Sequence, residues 1–157
     1  SATSLELLLA AVVASVLLVD IAVLVVKPAG DVATLLRIVL AVGAVGAVAI
    51  ALACGVTNDP KYAVGAVLAT PIVALYAYTG LLLPWDQLSF YLGQVGIEAL
   101  LSIPVVGEGL PNWLFDGWTL SATSLQRAFQ YHYAVVAAGV VGVVGVIGWA
   151  VVDESGS

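Results

Sequence analysis

Four long apolar segments constrain this chain more than any other feature. They run approximately over residues 5–26, 32–56, 62–83 and 124–152, and each is long enough to cross a hydrocarbon core about 30 Å thick. Only 9% of the residues are charged, whereas a soluble domain carries about 25%. Backbone groups in lipid are satisfied within helices. We therefore predict an all-α integral membrane protein with four transmembrane helices, forming a single membrane domain over the 157 residues.

The stretch between the third and fourth spans has a different character. Residues 84–123 contain Trp, Pro, Gly and acidic residues, yet keep amphipathic segments at 87–101 and 111–118. Tryptophan is typical of the membrane–water interface, and three tryptophans occur in this stretch: Trp85, Trp113 and Trp118. We expect one or two short interfacial helices here.

Charge and cysteine content exclude several classes of function. The net charge is −6, with only four Lys and Arg residues, which argues against a nucleic-acid partner. Cys54 is the only cysteine and His132 the only histidine, so an internal disulfide and a multi-cysteine metal site are excluded. The acidic, lysine-poor loops suit a high-salt environment. We expect the cell membrane of a halophilic prokaryote.

Glycines recur on two of the spans. The second span carries Gly43 and Gly46, and the fourth carries Gly139, Gly142, Gly145 and Gly148. Small residues let membrane helices approach closely, so the favoured interpretation is a helix–helix seam. The alternative is that the glycines leave room for a flat cofactor, and their spacing alone does not separate the two.

Three motifs follow one another between residues 79 and 132. They read Thr79-Gly-Leu-Leu-Leu-Pro-Trp-Asp-Gln-Leu-Ser-Phe90, Leu101-Ser-Ile-Pro-Val-Val-Gly107 and Thr123-Ser-Leu-Gln-Arg-Ala-Phe-Gln-Tyr-His132. This series resembles the cytochrome b subunit of bc1 and b6f complexes, at the end of helix C, in the CD loop and at the start of helix D. The resemblance implies that the four spans are helices A to D of the haem-bearing half.

The same resemblance implies a site and partners. Residues 84–123 would form part of a quinol-oxidation pocket, and four residues match its motif: Gly80, Pro84, Trp85 and Gln87. The expected partners are membrane lipid and other subunits of a respiratory complex, such as a second cytochrome b fragment or an iron–sulfur protein.

The chain departs from the family at the haem ligands. The family holds two haems with four histidines, two on helix B about fourteen residues apart and two on helix D at similar spacing. The matching positions here are Leu40, Cys54, His132 and Val146, or Ile147 if the last spacing is fifteen. One histidine of four remains, so the chain's own ligands allow one haem b at most.

Two interpretations of His132 stay open. A lone imidazole can hold a five-coordinate haem, which would make His132 the only metal ligand. The favoured interpretation is a hydrogen-bonded histidine without iron. Cys54 could offer a thiolate to haem iron, but a buried thiol in an apolar helix is usually an inert small hydrophobe.

Three charged residues are expected at similar depth in the membrane. Arg37 and Arg127 match arginines that lie close to the haem propionates in the family. Asp20, near the end of the first span, needs a partner or an aqueous pocket, so we predict that it pairs with Arg37 or Arg127. The family topology places these arginines and Lys27 on the outer side, against the positive-inside rule.

The function predicted from the sequence is that of a degenerate cytochrome-b-like subunit of a quinol-oxidising complex. It would shape the quinone pocket or help assemble the complex, and it would not be an enzyme alone. Two alternatives are a single-haem electron carrier that uses His132 and a pigment-binding or transport bundle on the same fold.

Overall fold

The computed structural model describes residues 2–157, and this part of the chain forms six helices and no strand. The helices are α1 (Ser4–Val26), α2 (Gly30–Thr57), α3 (Lys61–Leu82), α4 (Gln87–Leu101), α5 (Leu110–Phe115) and α6 (Ala122–Ser155). Four of them, α1, α2, α3 and α6, are long and apolar enough to cross a membrane. The predicted all-α fold, with short helices between the third and fourth long ones, is confirmed.

Local signals in the sequence define the ends of α1. The Thr3 hydroxyl accepts a hydrogen bond from the Glu6 amide, and the Glu6 carboxylate accepts one from the Thr3 amide. This reciprocal capping box satisfies two amides that the first turn of a helix leaves free. At the other end Lys27 takes a left-handed conformation, φ 53°, which stops the helix before Pro28.

The long helices form an up-and-down bundle. Two short connections, Lys27–Ala29 and Asn58–Pro60, make α1, α2 and α3 consecutive antiparallel neighbours. The last helix, α6, packs against α3 and α1. The carboxyl ends of α1 and α3 and the amino ends of α2 and α6 therefore lie together, and we call this the motif end of the bundle.

Glycine makes close helix contacts at some of the predicted seam positions but not at others. A Cβ atom built on Gly43 or Gly139 would lie about 3 Å from a side chain of α1. The same atom on Gly46, Gly142, Gly145 or Gly148 would meet nothing within 4 Å in the described chain. A close approach of α2 to α3 was not predicted: at Gly55 a Cβ would lie 2.3 Å from that of Ala63.

The two short helices fold over the motif end. Helix α4 has the predicted bounds, and α5 ends three residues before the predicted 118 because Asp116 and Gly117 have positive φ angles. Ile97 and Phe115 pack with Leu82 and Ala128 in one apolar cluster. This packing joins α4 and α5 to the ends of α3 and α6.

The fourth long helix runs further than the predicted span. It continues to Ser155, since no proline interrupts it and the next glycine is Gly156. Its 34 residues correspond to about 51 Å at 1.5 Å per residue, well beyond the thickness of a hydrocarbon core. The acidic residues near its end, Asp153 and Glu154, lie beyond the predicted span.

Candidate functional site

Polar side chains from all four long helices meet inside the bundle near the motif end. Asp20 and His132 are fully buried there, with 0% and 1% of their surface exposed. We call the group the charge cluster, and its members are Asp20 of α1, Arg37 of α2, Tyr76 and Thr79 of α3, and His132 and Tyr133 of α6. Each helix reaches the cluster within a few turns of the motif end, so an up-and-down chain brings them to one depth.

Asp20 lies at the centre of the charge cluster. Its Oδ1 accepts a hydrogen bond from Arg37 Nη1 at 3.0 Å, and its Oδ2 accepts one from the Tyr76 hydroxyl at 2.5 Å. The same Oδ2 lies 2.6 Å from Nε2 of His132. A buried carboxylate requires partners of this kind. The structure pairs Asp20 with Arg37 and not with Arg127.

The ring of His132 is held on several sides. Nδ1 lies 3.0 Å from the Tyr76 carbonyl oxygen and 3.2 Å from the Thr79 hydroxyl. The Tyr76 ring stacks on the imidazole at 4.5 Å between centroids. Gly80 makes this fit possible, since a Cβ at that position would lie 2.9 Å from His132 Cε1. Both ring nitrogens and one ring face are therefore occupied by protein.

Arg37 connects the charge cluster to a cavity. Nη2 donates to the Tyr133 hydroxyl at 2.9 Å, while Nη1 lies 3.2 Å from His132 Nε2. The arginine also borders a cavity of about 600 Å³ at the motif end. The walls of this motif-end cavity are largely apolar and include Lys27, Leu83, Pro84, Gln126 and Phe129. Such a cavity suits a ligand with an apolar body and a polar head.

The four residues predicted to form a quinone pocket lie in different places. Pro84 lines the motif-end cavity, whereas Gly80 packs against His132. Trp85 has a left-handed backbone, φ 53°, and its ring lies 4.5 Å from that of Phe90. Gln87 is exposed at the first position of α4.

Hydrogen bonds of Asp86 connect the start of α4 to α2. Its carboxylate accepts hydrogen bonds from the Thr34 hydroxyl at 2.5 Å and from the Ser89 amide at 2.9 Å. The hydrogen bond from Thr34, followed by that from Ser89, lowers the pKa of Asp86 below its usual value of 3.8. A negatively charged N-cap of this kind also interacts favourably with the positive end of the α4 helix dipole.

Arg127 has a structural position outside the charge cluster. It donates to the carbonyl oxygens of Asn112 and Trp113 and lies 3.3 Å from the Asp116 carboxylate. It thereby closes the carboxyl end of α5, where free carbonyls attract a cation.

The other three positions that match haem ligands supply no second ligand beside His132. Leu40 is buried and lines a groove between α1 and α2. Cys54 is fully buried and lies seventeen residues beyond Arg37 along α2, or about 25 Å away along the axis. Val146 is 71% and Ile147 58% exposed on the outer face of α6.

Sequence reasoning missed three members of the charge cluster, Tyr76, Thr79 and Tyr133. A signal was present for two of them, because Tyr76, Thr79 and Gly80 follow the i, i+3, i+4 spacing of one helix face. That face contains two hydroxyls within an apolar span, which indicates a polar partner on a neighbouring helix.

Comparison with known proteins agrees with the motifs. The family model for cytochrome b/b6/petB matches residues 10–152. A cytochrome b from Acanthamoeba castellanii is 37% identical over 86 residues, which cover 55% of this chain and 22% of that protein. The aligned segment thus spans about a fifth of the relative. No solved structure matches the chain. Because the family match covers nearly the whole chain, the chain belongs to the cytochrome b/b6 family.

Proposed function

We propose that this chain is a membrane subunit of a quinol-oxidising electron-transfer complex, in which it forms part of the quinone pocket and helps assemble the complex. Members of its family are typically parts of membrane respiratory complexes and normally bind haem b. The observation that carries the proposal is the motif-end cavity, which adjoins the retained Pro84-Trp-Asp-Gln87 segment.

The shape and chemistry of this cavity support a quinone ligand. A quinone has a flat ring with two carbonyl oxygens and an apolar tail. The cavity offers apolar walls at Leu83, Pro84 and Phe129, together with the polar side chains of Lys27 and Gln126. It lies at the end of four apolar helices, where a tail could continue into the lipid.

The bundle also supports a role in assembly. Much of the carboxyl-terminal half of α6 projects apolar side chains outward, among them Val141, Val144, Val146 and Trp149. We propose that other membrane subunits pack against this single membrane domain. A second cytochrome b fragment and an iron–sulfur protein are the expected candidates. A cell membrane of a salt-loving prokaryote remains a prediction from charge alone.

Filling the cavity tests the quinone proposal. Ala33 lines it, so Ala33→Phe should lower quinol oxidation by membranes that contain the chain, because the larger ring occupies the ligand's space. Ala49→Phe places the same ring on the exposed side of the same helix and should leave the rate unchanged. Equal rates for both variants would contradict a quinone in this cavity, and unchanged quinol oxidation after deletion of the gene would contradict the wider proposal.

A further inference from the structure

We infer that the Asp20 carboxylate and the Arg37 guanidinium occupy the place of a haem at Nε2 of His132, and that this chain holds no haem of its own. The inference concerns the cofactor that the family normally binds. It does not depend on the quinone proposal, since haem content is measured separately from quinol oxidation.

The first argument is the state of the His132 nitrogens. A haem-ligating histidine uses one ring nitrogen for iron and commonly donates the other to a carbonyl or carboxylate. In this structure Nδ1 faces the Tyr76 carbonyl at 3.0 Å, so Nε2 would have to face the iron. Nε2 instead lies 2.6 Å from the Asp20 carboxylate and 3.2 Å from Arg37 Nη1.

The second argument is the stability of that blocking arrangement. Asp20 is bound at the same time by Arg37 and Tyr76, and Arg37 is bound by Tyr133. Moving Asp20 away from Nε2 would leave a buried carboxylate without these partners, which is strongly unfavourable in an apolar interior. A porphyrin ring would also have to displace the buried guanidinium.

The third argument is the absence of a second ligand within reach. His132 is the only histidine of the chain, so no second imidazole is present. Cys54 lies about 25 Å from Arg37 along α2, and Leu40 supplies no ligand atom. The bis-histidine arrangement therefore does not fit the side chains present, and the groups at Nε2 of His132 block the five-coordinate one.

The charge cluster also explains how the four long helices are held together without a haem. It joins α1, α2, α3 and α6 by hydrogen bonds through one carboxylate, including α2 and α6, whose backbones do not pack directly in the described chain. In the described residues every buried side-chain nitrogen and oxygen has a hydrogen-bond partner, so the cluster is complete with protein atoms alone.

The test begins with the haem content of the full chain, purified in mild detergent together with any subunits that remain bound. We expect the wild type and His132→Gln to contain the same amount of haem b per complex, measured by the pyridine haemochrome and the reduced-minus-oxidised spectrum. Loss of haem in His132→Gln from an otherwise assembled complex would overturn the inference.

A gain of haem binding provides the second measurement. Asp20→Ala removes the carboxylate at Nε2 and also the partner that holds Arg37 Nη1 beside it. Added haemin should therefore give a shifted Soret band that Asp20→Ala with His132→Gln lacks. Asp20→Asn keeps a blocking side chain of the same size and should behave like the wild type. Haemin binding by the wild type that requires His132, or a folded Asp20→Ala protein that gains no Soret shift, would contradict the assignment of Asp20 as the blocking group. If Asp20→Ala does not fold, the comparison of haem content between the wild type and His132→Gln still tests whether His132 holds a haem.

Discussion

At the scale of single residues, the most informative feature is that a buried carboxylate organises the charge cluster. Asp20 is fully buried and accepts hydrogen bonds from groups on three other helices. Charged side chains inside a membrane are rare and usually mark function or specific pairing. Here the pairing is explicit, because one carboxylate compensates a guanidinium and holds the ring of the only histidine.

Removing the arginine of this cluster should destabilise the fold. In Arg37→Met the carboxylate of Asp20 loses its closest cation, and breaking a buried pair from one side typically costs about 3–5 kcal/mol. We expect a loss of that size in the free energy of unfolding, measured by denaturant titration in detergent micelles.

A matched control is the exposed ion pair between Lys61 and Asp59, whose nitrogen and oxygen lie 3.5 Å apart. Solvent screens such a pair, so Lys61→Met should leave the unfolding curve unchanged. Equal effects of the two substitutions would show that the charge cluster does not stabilise the bundle.

At the scale of helices, packing depends on where glycine meets a neighbouring backbone. The α2–α3 hairpin closes at Gly55, where a Cβ would lie 2.3 Å from Ala63 Cβ and 2.6 Å from the Ala63 backbone nitrogen. A neighbouring backbone cannot move aside as a flexible side chain can. This contact therefore determines how closely the two helices approach.

Substitution of this glycine should weaken the hairpin. Gly55→Ala should lower the free energy of unfolding by about 1–3 kcal/mol, the usual cost of overpacking. Gly46→Ala on the same helix meets open space and should be neutral or stabilise by up to about 1 kcal/mol through helix propensity. Thermal unfolding in detergent compares the two, and equal behaviour would contradict the close contact at Gly55.

At the scale of the whole molecule, the up-and-down order of the helices places their ends and connections at two opposite ends of the bundle. The loops at Lys27 and in residues 102–109 lie at the motif end, whereas Lys61 and Glu154 lie at the other end of the bundle. The family resemblance predicts that the motif end faces outward.

Cysteine labelling of intact cells tests this arrangement. Single cysteines at Lys27 and Glu108 in a Cys54→Ala background should react with an impermeant thiol reagent, and those at Lys61 and Glu154 should react only after the membrane is opened. Labelling of Lys27→Cys and Glu154→Cys from the same side would contradict four membrane crossings. Reaction of the second pair alone in intact cells would reverse the orientation and favour the positive-inside rule.

The sequence by itself determined the class of fold and most helix bounds. Hydrophobic runs of membrane-spanning length and Pro- or Gly-containing breaks are local properties, so α1 to α3 could be read directly from the chain, and the amphipathic pattern of residues 87–101 predicted α4. Motif order identified the family, and the need of a buried charge for a partner predicted the pairing of Asp20. The two helix ends placed wrongly, those of α5 and α6, depend on backbone angles and on the absence of a stop signal.

Only the tertiary structure decided which side chains meet. Spacing along one helix shows which residues share a face, but the rotation of four helices about their axes determines which faces meet. That rotation brings Tyr76, Thr79 and Tyr133 to Asp20 and His132, directs Arg127 of α6 to the end of α5, and turns Val146 outward. The physical reason is that a buried carboxylate, guanidinium and imidazole are stable in an apolar bundle only when they pair and hydrogen-bond with one another. Because these groups lie on different helices, that pairing depends on how the helices pack.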